Sequence, residues 1–142
     1  NDYQGPRDTA SVLQQLNLIR YSSGTLIGQQ IEKYLRRNQL DPVSHLQLDN
    51  SFAVVSAVAS GIGCTITTPL CLFQSGIRQH QVQLIPLDNK LGRQISLISR
   101  EHELGDLPGA IARDCKRILS ESYVDVLTAD FPWLAEDIKV GE

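Results

Sequence analysis

The sequence predicts an α/β domain with a mainly parallel, twisted sheet flanked by helices. Two observations carry this expectation. Short β-capable runs alternate with helical repeats from Leu18 to Gly76, and the run 62–67 is β-branched and small, as suits a central strand covered on both faces. Such alternation implies β-α-β units with right-handed crossovers. The chain has 142 residues, 42% hydrophobic and 20% charged, enough for one globular core.

The elements follow in order. Residues 1–17 are polar, with Gly5, Pro6 and a short apolar turn at Val12, Leu13 and Leu16, and read as a lead-in loop. Residues 18–21 read as a strand. Ser22-Ser23-Gly24-Thr25 supplies turn and N-cap chemistry for a helix over 26–37, where Ile27, Ile31, Tyr34 and Leu35 recur at helical spacing. Asn38 and Asp41-Pro42 punctuate, and 43–48 reads as a second strand. Asp49-Asn50-Ser51 can cap a second helix that turns Val54, Val55 and Val58 inward and ends at Gly61. After the strand 62–67, Pro69 opens a short helix that Gly76 can close. Residues 82–87 and 94–99 read as two further strands joined by the turn-rich 88–92. Asp106 can cap a last helix, with Pro108 in its first turn and Leu107, Ile111, Cys115, Ile118 and Leu119 along one stripe. The tail 121–142, with Phe131, Pro132 and Trp133 among acidic residues, either packs or hangs free.

Composition excludes several functions. Thirteen Lys and Arg against sixteen Asp and Glu give a formal charge of −3, so the chain lacks the electropositive field that unaided DNA binding requires. Cys64, Cys71 and Cys115 are too few and scattered for a disulfide scaffold or a zinc site, which fits a reducing cytoplasm. The apolar stretch 52–73 is interrupted by Ser, Gly, Thr and Pro well short of the roughly 20 residues that span a bilayer, and NDYQGPRD carries no signal-peptide core.

Ser22, Ser23 and Thr25 place three hydroxyls at a helix start, where unpaired N–H groups and the dipole favour a small anion; simple N-capping, which needs one hydroxyl, is the alternative. Asn50, Ser51 and Phe52 offer amide and hydroxyl donors and an aromatic wall at the next strand end, or again a cap and one core ring. In open parallel sheets ligands bind at the carboxyl ends of strands, where both loops fall. Gly61-Ile62-Gly63-Cys64-Thr65 lacks the phosphate-loop and nucleophile-elbow patterns, and Cys64 suits a small buried hydrophobe better than a nucleophile. His45, His80 and His102 show no metal-ligand spacing, so no metal and no cofactor are expected. Glu101, Glu103 and Asp106 read as a solvated acidic cluster at a helix start.

Taken together, LIRYSSGTLIGQQIEKYLRR, LDNSFAVVSAVASGIGCTITTP and VQLIPLDNKLGRQISLISR resemble the second half of the effector-binding, or substrate-binding, domain of LysR-type transcription regulators. Gly61, Gly63 and Pro69 stand where that family closes a helix, begins a strand and begins the next helix. The resemblance implies a type 2 periplasmic-binding-protein-like fold of two lobes with a small, often anionic metabolite between them. By that match 18–94 form an effector-binding lobe, with Ser22, Ser23, Thr25, Asn50, Ser51 and Phe52 lining its side of the cleft. Residues 95–120 form a strand and helix returning to the other lobe, and 121–142 a tail. Neither a helix-turn-helix domain nor the first half of the first lobe is expected in this chain, so DNA is reached only through a separate domain.

The leading expectation is therefore a cytoplasmic effector sensor and not an enzyme, with self-association through the returning strand and apolar stripe. A transport-linked solute-binding protein is the alternative. A hydrolase built on Cys64 ranks third.

Overall fold

The computed structural model describes residues 3–76, 81–100 and 103–141. The chain divides into two compact units, Asn1–Gly92 and Arg93–Glu142.

The first unit is an α/β arrangement on a small parallel sheet. Strand β1 (Ile19–Tyr21) pairs in parallel with β2 (Leu46–Leu48), placing Ile19 opposite Leu46 and Tyr21 opposite Leu48. A parallel bridge joins Leu18 to Cys64, and the Ile19 N–H donates to the Cys64 carbonyl at 2.7 Å, so β1 lies in the middle. The expected strand 62–67 is reduced to this bridge, and the expected 43–48 to its last three residues. Gly63 explains the close approach there: a Cβ on it would sit 2.2 Å from the Asn17 carbonyl oxygen, which accepts the Cys64 N–H.

Three helices follow the strands. Helix α2 (Leu26–Arg37) buries Ile27, Ile31, Tyr34 and Leu35, the stripe read from the sequence. Helix α3 (Ser51–Ala59) buries Val54 and Val55, and α4 (Pro69–Gln74) buries Cys71 and Leu72. Helix α3 stops as expected: Gly61, at φ +79°, donates to Val58, and the Ile62 N–H donates to Ala57, the paired bonds of a Schellman cap. Helix α2 ends in the same motif with Gln39 at φ +54°, a side chain in a region that favours glycine. Leu18, Ile19 and Val54 are the most deeply buried large side chains of the core.

Further expectations are corrected in and beyond this unit. The lead-in is not only loop: α1 (Thr9–Gln15) is capped by the Asp8 carboxylate, which accepts from the Ser11 N–H, and it sends Leu13 into the core. The sequence reading missed it because its apolar repeat covers barely two turns. Residues 82–87 and 94–99 are not strands, because neither run has a ladder partner among the described residues and a strand exists only through pairing. The loop 82–91 instead docks on the unit through Leu87 and Leu91. Asp88 and Thr9 bond reciprocally: each backbone N–H donates to the other's side chain, at 2.8 and 3.1 Å.

In the second unit α5 (Leu107–Ile118) runs through a π-helical stretch (Leu119–Val124) into α6 (Asp125–Asp130) and a 3₁₀ turn (Pro132–Glu136). The tail is thus helical and packed on itself, burying Leu127 and Leu134. Asp106 stands at the N-cap of α5 but makes no side-chain cap bond, contrary to expectation, because its backbone is already αR instead of extended. The apolar stripe of α5 buries none of its residues.

Candidate functional site

Parallel pairing decides where the two candidate loops go. Tyr21 and Leu48 are register partners at the carboxyl ends of adjacent strands, and the Ser22 N–H extends the ladder by donating to the Leu48 carbonyl at 2.9 Å. The loops 22–25 and 49–52 therefore leave side by side from one rim of the sheet.

Each loop leads into a capped helix. Thr25 Oγ1 accepts from the Gly28 N–H at 3.0 Å and donates to the Ser22 carbonyl at 2.7 Å. Gly28 lets this turn close, since a Cβ there would lie 2.1 Å from the Ser22 oxygen. Thr25 thus spends its hydroxyl on the cap, whereas the Ser22 and Ser23 hydroxyls have no hydrogen-bond partner among the described residues. Asn50 Oδ1 accepts from the Ala53 N–H at 2.8 Å, leaving the side-chain NH2 of an exposed residue as a donor. Phe52 is 65% exposed, so the reading of it as a core ring is excluded and the aromatic wall remains. Of the six residues singled out, Thr25 and Asn50 are caps, Ser22 and Ser23 carry spare hydroxyls, Ser51 is half-buried and Phe52 is open to solvent.

The structure adds residues the sequence reading passed over. Leu26, first in α2, is 73% exposed, a second apolar side chain at a helix start on this rim. Tyr21 is buried, and its hydroxyl shares a 2.9 Å hydrogen bond with Thr67 Oγ1; Thr67 precedes Thr68, the cap of α4. Burial pushes the Tyr21 phenol above its usual value, opposed by its hydrogen bond to Thr67. A Tyr closing a strand directly before a hydroxyl-rich loop was the available signal, but its partner lies 46 residues on.

Cys64, a further candidate, pairs with Leu18 at the opposite end of β1 from this rim. Burial pushes the Cys64 thiol up to about 11, which leaves almost no thiolate at neutral pH and removes the basis of a nucleophile. His80, Glu101 and His102 lie outside the described residues. Among the described residues no group of three or more His, Cys, Asp or Glu is placed to hold a metal ion, and no helix is long and apolar enough to cross a membrane. A cleft of about 270 Å³ lies at the other end of the strands, between Leu13 and Gln14 of α1 and the segment Gln39 to Val43. It takes none of the six residues, and the Val43 carbonyl beside it accepts the Leu18 N–H where β1 begins.

A parallel sheet whose strand ends run into capped helices on one rim belongs to the α/β class, in which ligands are seated beyond the carboxyl ends of the strands. Residues 2–113 match the family model described as the LysR substrate binding domain. That is most of the chain, and the chain belongs to this family: it is an effector-binding domain of a LysR-type transcription regulator. Domains of this family bind small-molecule effectors and are regulatory, not catalytic; nothing favours the transport alternative. No curated protein and no solved structure matches the chain.

Proposed function

We propose that the rim formed by Ser22, Ser23, Thr25, Asn50, Ser51 and Phe52 seats a small anionic metabolite that carries an apolar part. The observation behind this reading is the register of Tyr21 with Leu48, which sets the N-termini of α2 and α3 side by side. Two helix starts offer unpaired N–H groups and the positive ends of two dipoles, and the Ser22 and Ser23 hydroxyls and the Asn50 amide add donors. Leu26 and Phe52 supply exposed apolar surface for the rest of the molecule. Asp49, exposed at the second loop, opposes an anion placed too close to it and so favours seating toward Ser22 and Ser23.

In this reading the unit is one lobe of a type 2 periplasmic-binding-protein-like fold, and the ligand favours one lobe arrangement over another. The shift changes how a separate helix-turn-helix domain sits on DNA, since a ligand moves such an equilibrium only by its differential affinity for the two states. The protein works in the cytoplasm, without catalysis. It self-associates through the apolar side chains of 95–119, among them Ile95, Leu97 and Ile111, all exposed here. A strictly monomeric species by light scattering at high concentration would count against that last point.

The site is tested by titrating the ¹⁵N-labelled chain with inorganic sulfate and a panel of small carboxylates. Amide shifts concentrated at 22–27 and 50–53 are expected, and Ser22→Ala with Ser23→Ala, which spares the Thr25 cap, should weaken them. Unchanged affinity in that double variant would remove the assignment.

A further inference from the structure

We propose that the cleft at the amino end of β1 is a second binding site, separate from the rim, that takes a small organic ammonium ion with a compact apolar body. The proposal stands whether or not the rim binds an anion.

The cleft of about 270 Å³ lies between α1 and the turn that joins α2 to β2. Small-molecule pockets run upward from about 300 Å³, so a compact ligand fits and a large one does not. Leu13 and Pro42, both buried, and half-buried Leu40 make its inner wall apolar. Gln14, Gln39 and Asp41, all exposed, put two amides and a carboxylate around it. Among the described residues none of these three side chains has a hydrogen bond or an ion pair. Asp41 is the one ionisable residue of the lining, so the charge the cleft selects is positive. The glutamine carbonyl oxygens can accept further N–H groups, and the apolar wall takes hydrocarbon. The rim lies about 10 Å away along β1, at about 3.3 Å per residue.

The backbone carries the second argument. Four described residues have a positive φ: Gly61, Gly76, Gly105 and Gln39. Glycine takes this conformation freely, whereas a side chain brings its Cβ against the following carbonyl oxygen. Helix α3 ends in this motif on Gly61, yet α2 ends in it on a glutamine. Residues held against their preference in this way cluster at ligand clamps. Position 39 thus keeps a side chain that its backbone disfavours, and that side chain lines the cleft. The turn is also fixed before any ligand arrives, which lowers the cost of binding. The Val43 carbonyl accepts the Leu18 N–H at 2.9 Å, and the Pro42 carbonyl accepts from the Arg20 guanidinium at 3.4 Å.

The test titrates the ¹⁵N-labelled chain with benzylamine, benzyl alcohol and benzoate. Benzylamine should move the amide signals of Gln14, Gln39, Leu40, Asp41 and Val43 and leave Ser23 and Phe52 in place. The two controls and Asp41→Asn should each weaken binding about threefold, the scale of one exposed ion pair. Ala10→Leu, which fills the cleft, should abolish the shifts. Gln39→Gly should raise the urea midpoint while lowering affinity about threefold, two changes that a purely structural glutamine would not combine. Gln39→Ala, which keeps the strained φ and removes the amide, should lower affinity alike without the gain in stability.

Benzyl alcohol binding as tightly as benzylamine overturns the proposal, as does wild-type affinity in both variants at position 39 or in Ala10→Leu. Failure of sulfate and carboxylates to shift the rim removes the anion reading alone, because the two sites are read from different signals and ligands of opposite charge.

Discussion

Residues 1–92 and 93–142 treat their apolar side chains in opposite ways. In the first unit Leu18 and Ile19 are 1% exposed and Val54 is 0%, and the stripe of α2 is buried along its length. In the second, Ile98 is 87% exposed and Ile95 67%, while α5 carries an equally regular stripe and buries none of it. The lesson is that periodicity specifies which face of a helix is apolar, whereas burial also needs an opposing surface. The first unit supplies one in its sheet.

That contrast is open to attack by mutation. Leu18→Ala should cost about 2–5 kcal/mol of unfolding free energy in urea, as for a fully buried leucine, against a change of about 0.5 kcal/mol or less for Ile98→Ala. Equal effects would mean that the second unit buries Ile98 in solution. Gly63→Ala should cost about 1–3 kcal/mol because the new methyl meets the Asn17 carbonyl, whereas Gly92→Ala, with open space around it, should be close to neutral.

The cysteines extend the comparison to pH. Exposed Cys115 should react with Ellman's reagent at neutral pH far faster than Cys64, whose thiol is raised to about 11. The same shift has a sign. The folded state holds the Cys64 proton more tightly than the unfolded chain, whose thiol titrates near 9, so the stabilisation is whole below pH 9 and is lost as pH rises through about 11. Urea midpoints should fall across that window, and less steeply in Cys64→Ala; a fall of the same slope in both would assign it to Tyr21 and other groups, since the Tyr21 phenol is also raised above 10 and also loses stability upward.

Smaller effects separate the helix starts. Thr25→Ala should cost about 1 kcal/mol through its lost cap, while Asp106→Ala, which breaks no cap bond, should cost about 0.3 kcal/mol through the dipole alone. Of opposite sign, Gln39→Gly should gain up to about 1 kcal/mol by relieving the φ of +54° at the end of α2.

Much of the first unit was legible because its signals are local. The caps at Thr25 and Asn50, the stripe of α2 and the stop at Gly61 each lie within four residues of what they control. Both candidate loops were placed at strand ends for the same reason. The failures are non-local. Whether 82–87 or 94–99 becomes a strand depends on a partner, which residue composition cannot supply. The Tyr21–Thr67 bond spans 46 residues, and the exposure of Phe52 follows from which side of α3 meets the sheet. Alpha-helix α1 was a different kind of miss, since Asp8 offered a local cap that its weak apolar repeat obscured.

The clasp between Thr9 and Asp88 holds together two points 79 residues apart in sequence. Chain thus enters and leaves the sheet-bearing unit at a single doorway, the arrangement that lets a module be spliced into a host loop without stretching either end. The first unit is in that respect portable: grafted through residues 9 and 88, it should carry its rim of strand ends intact into another scaffold.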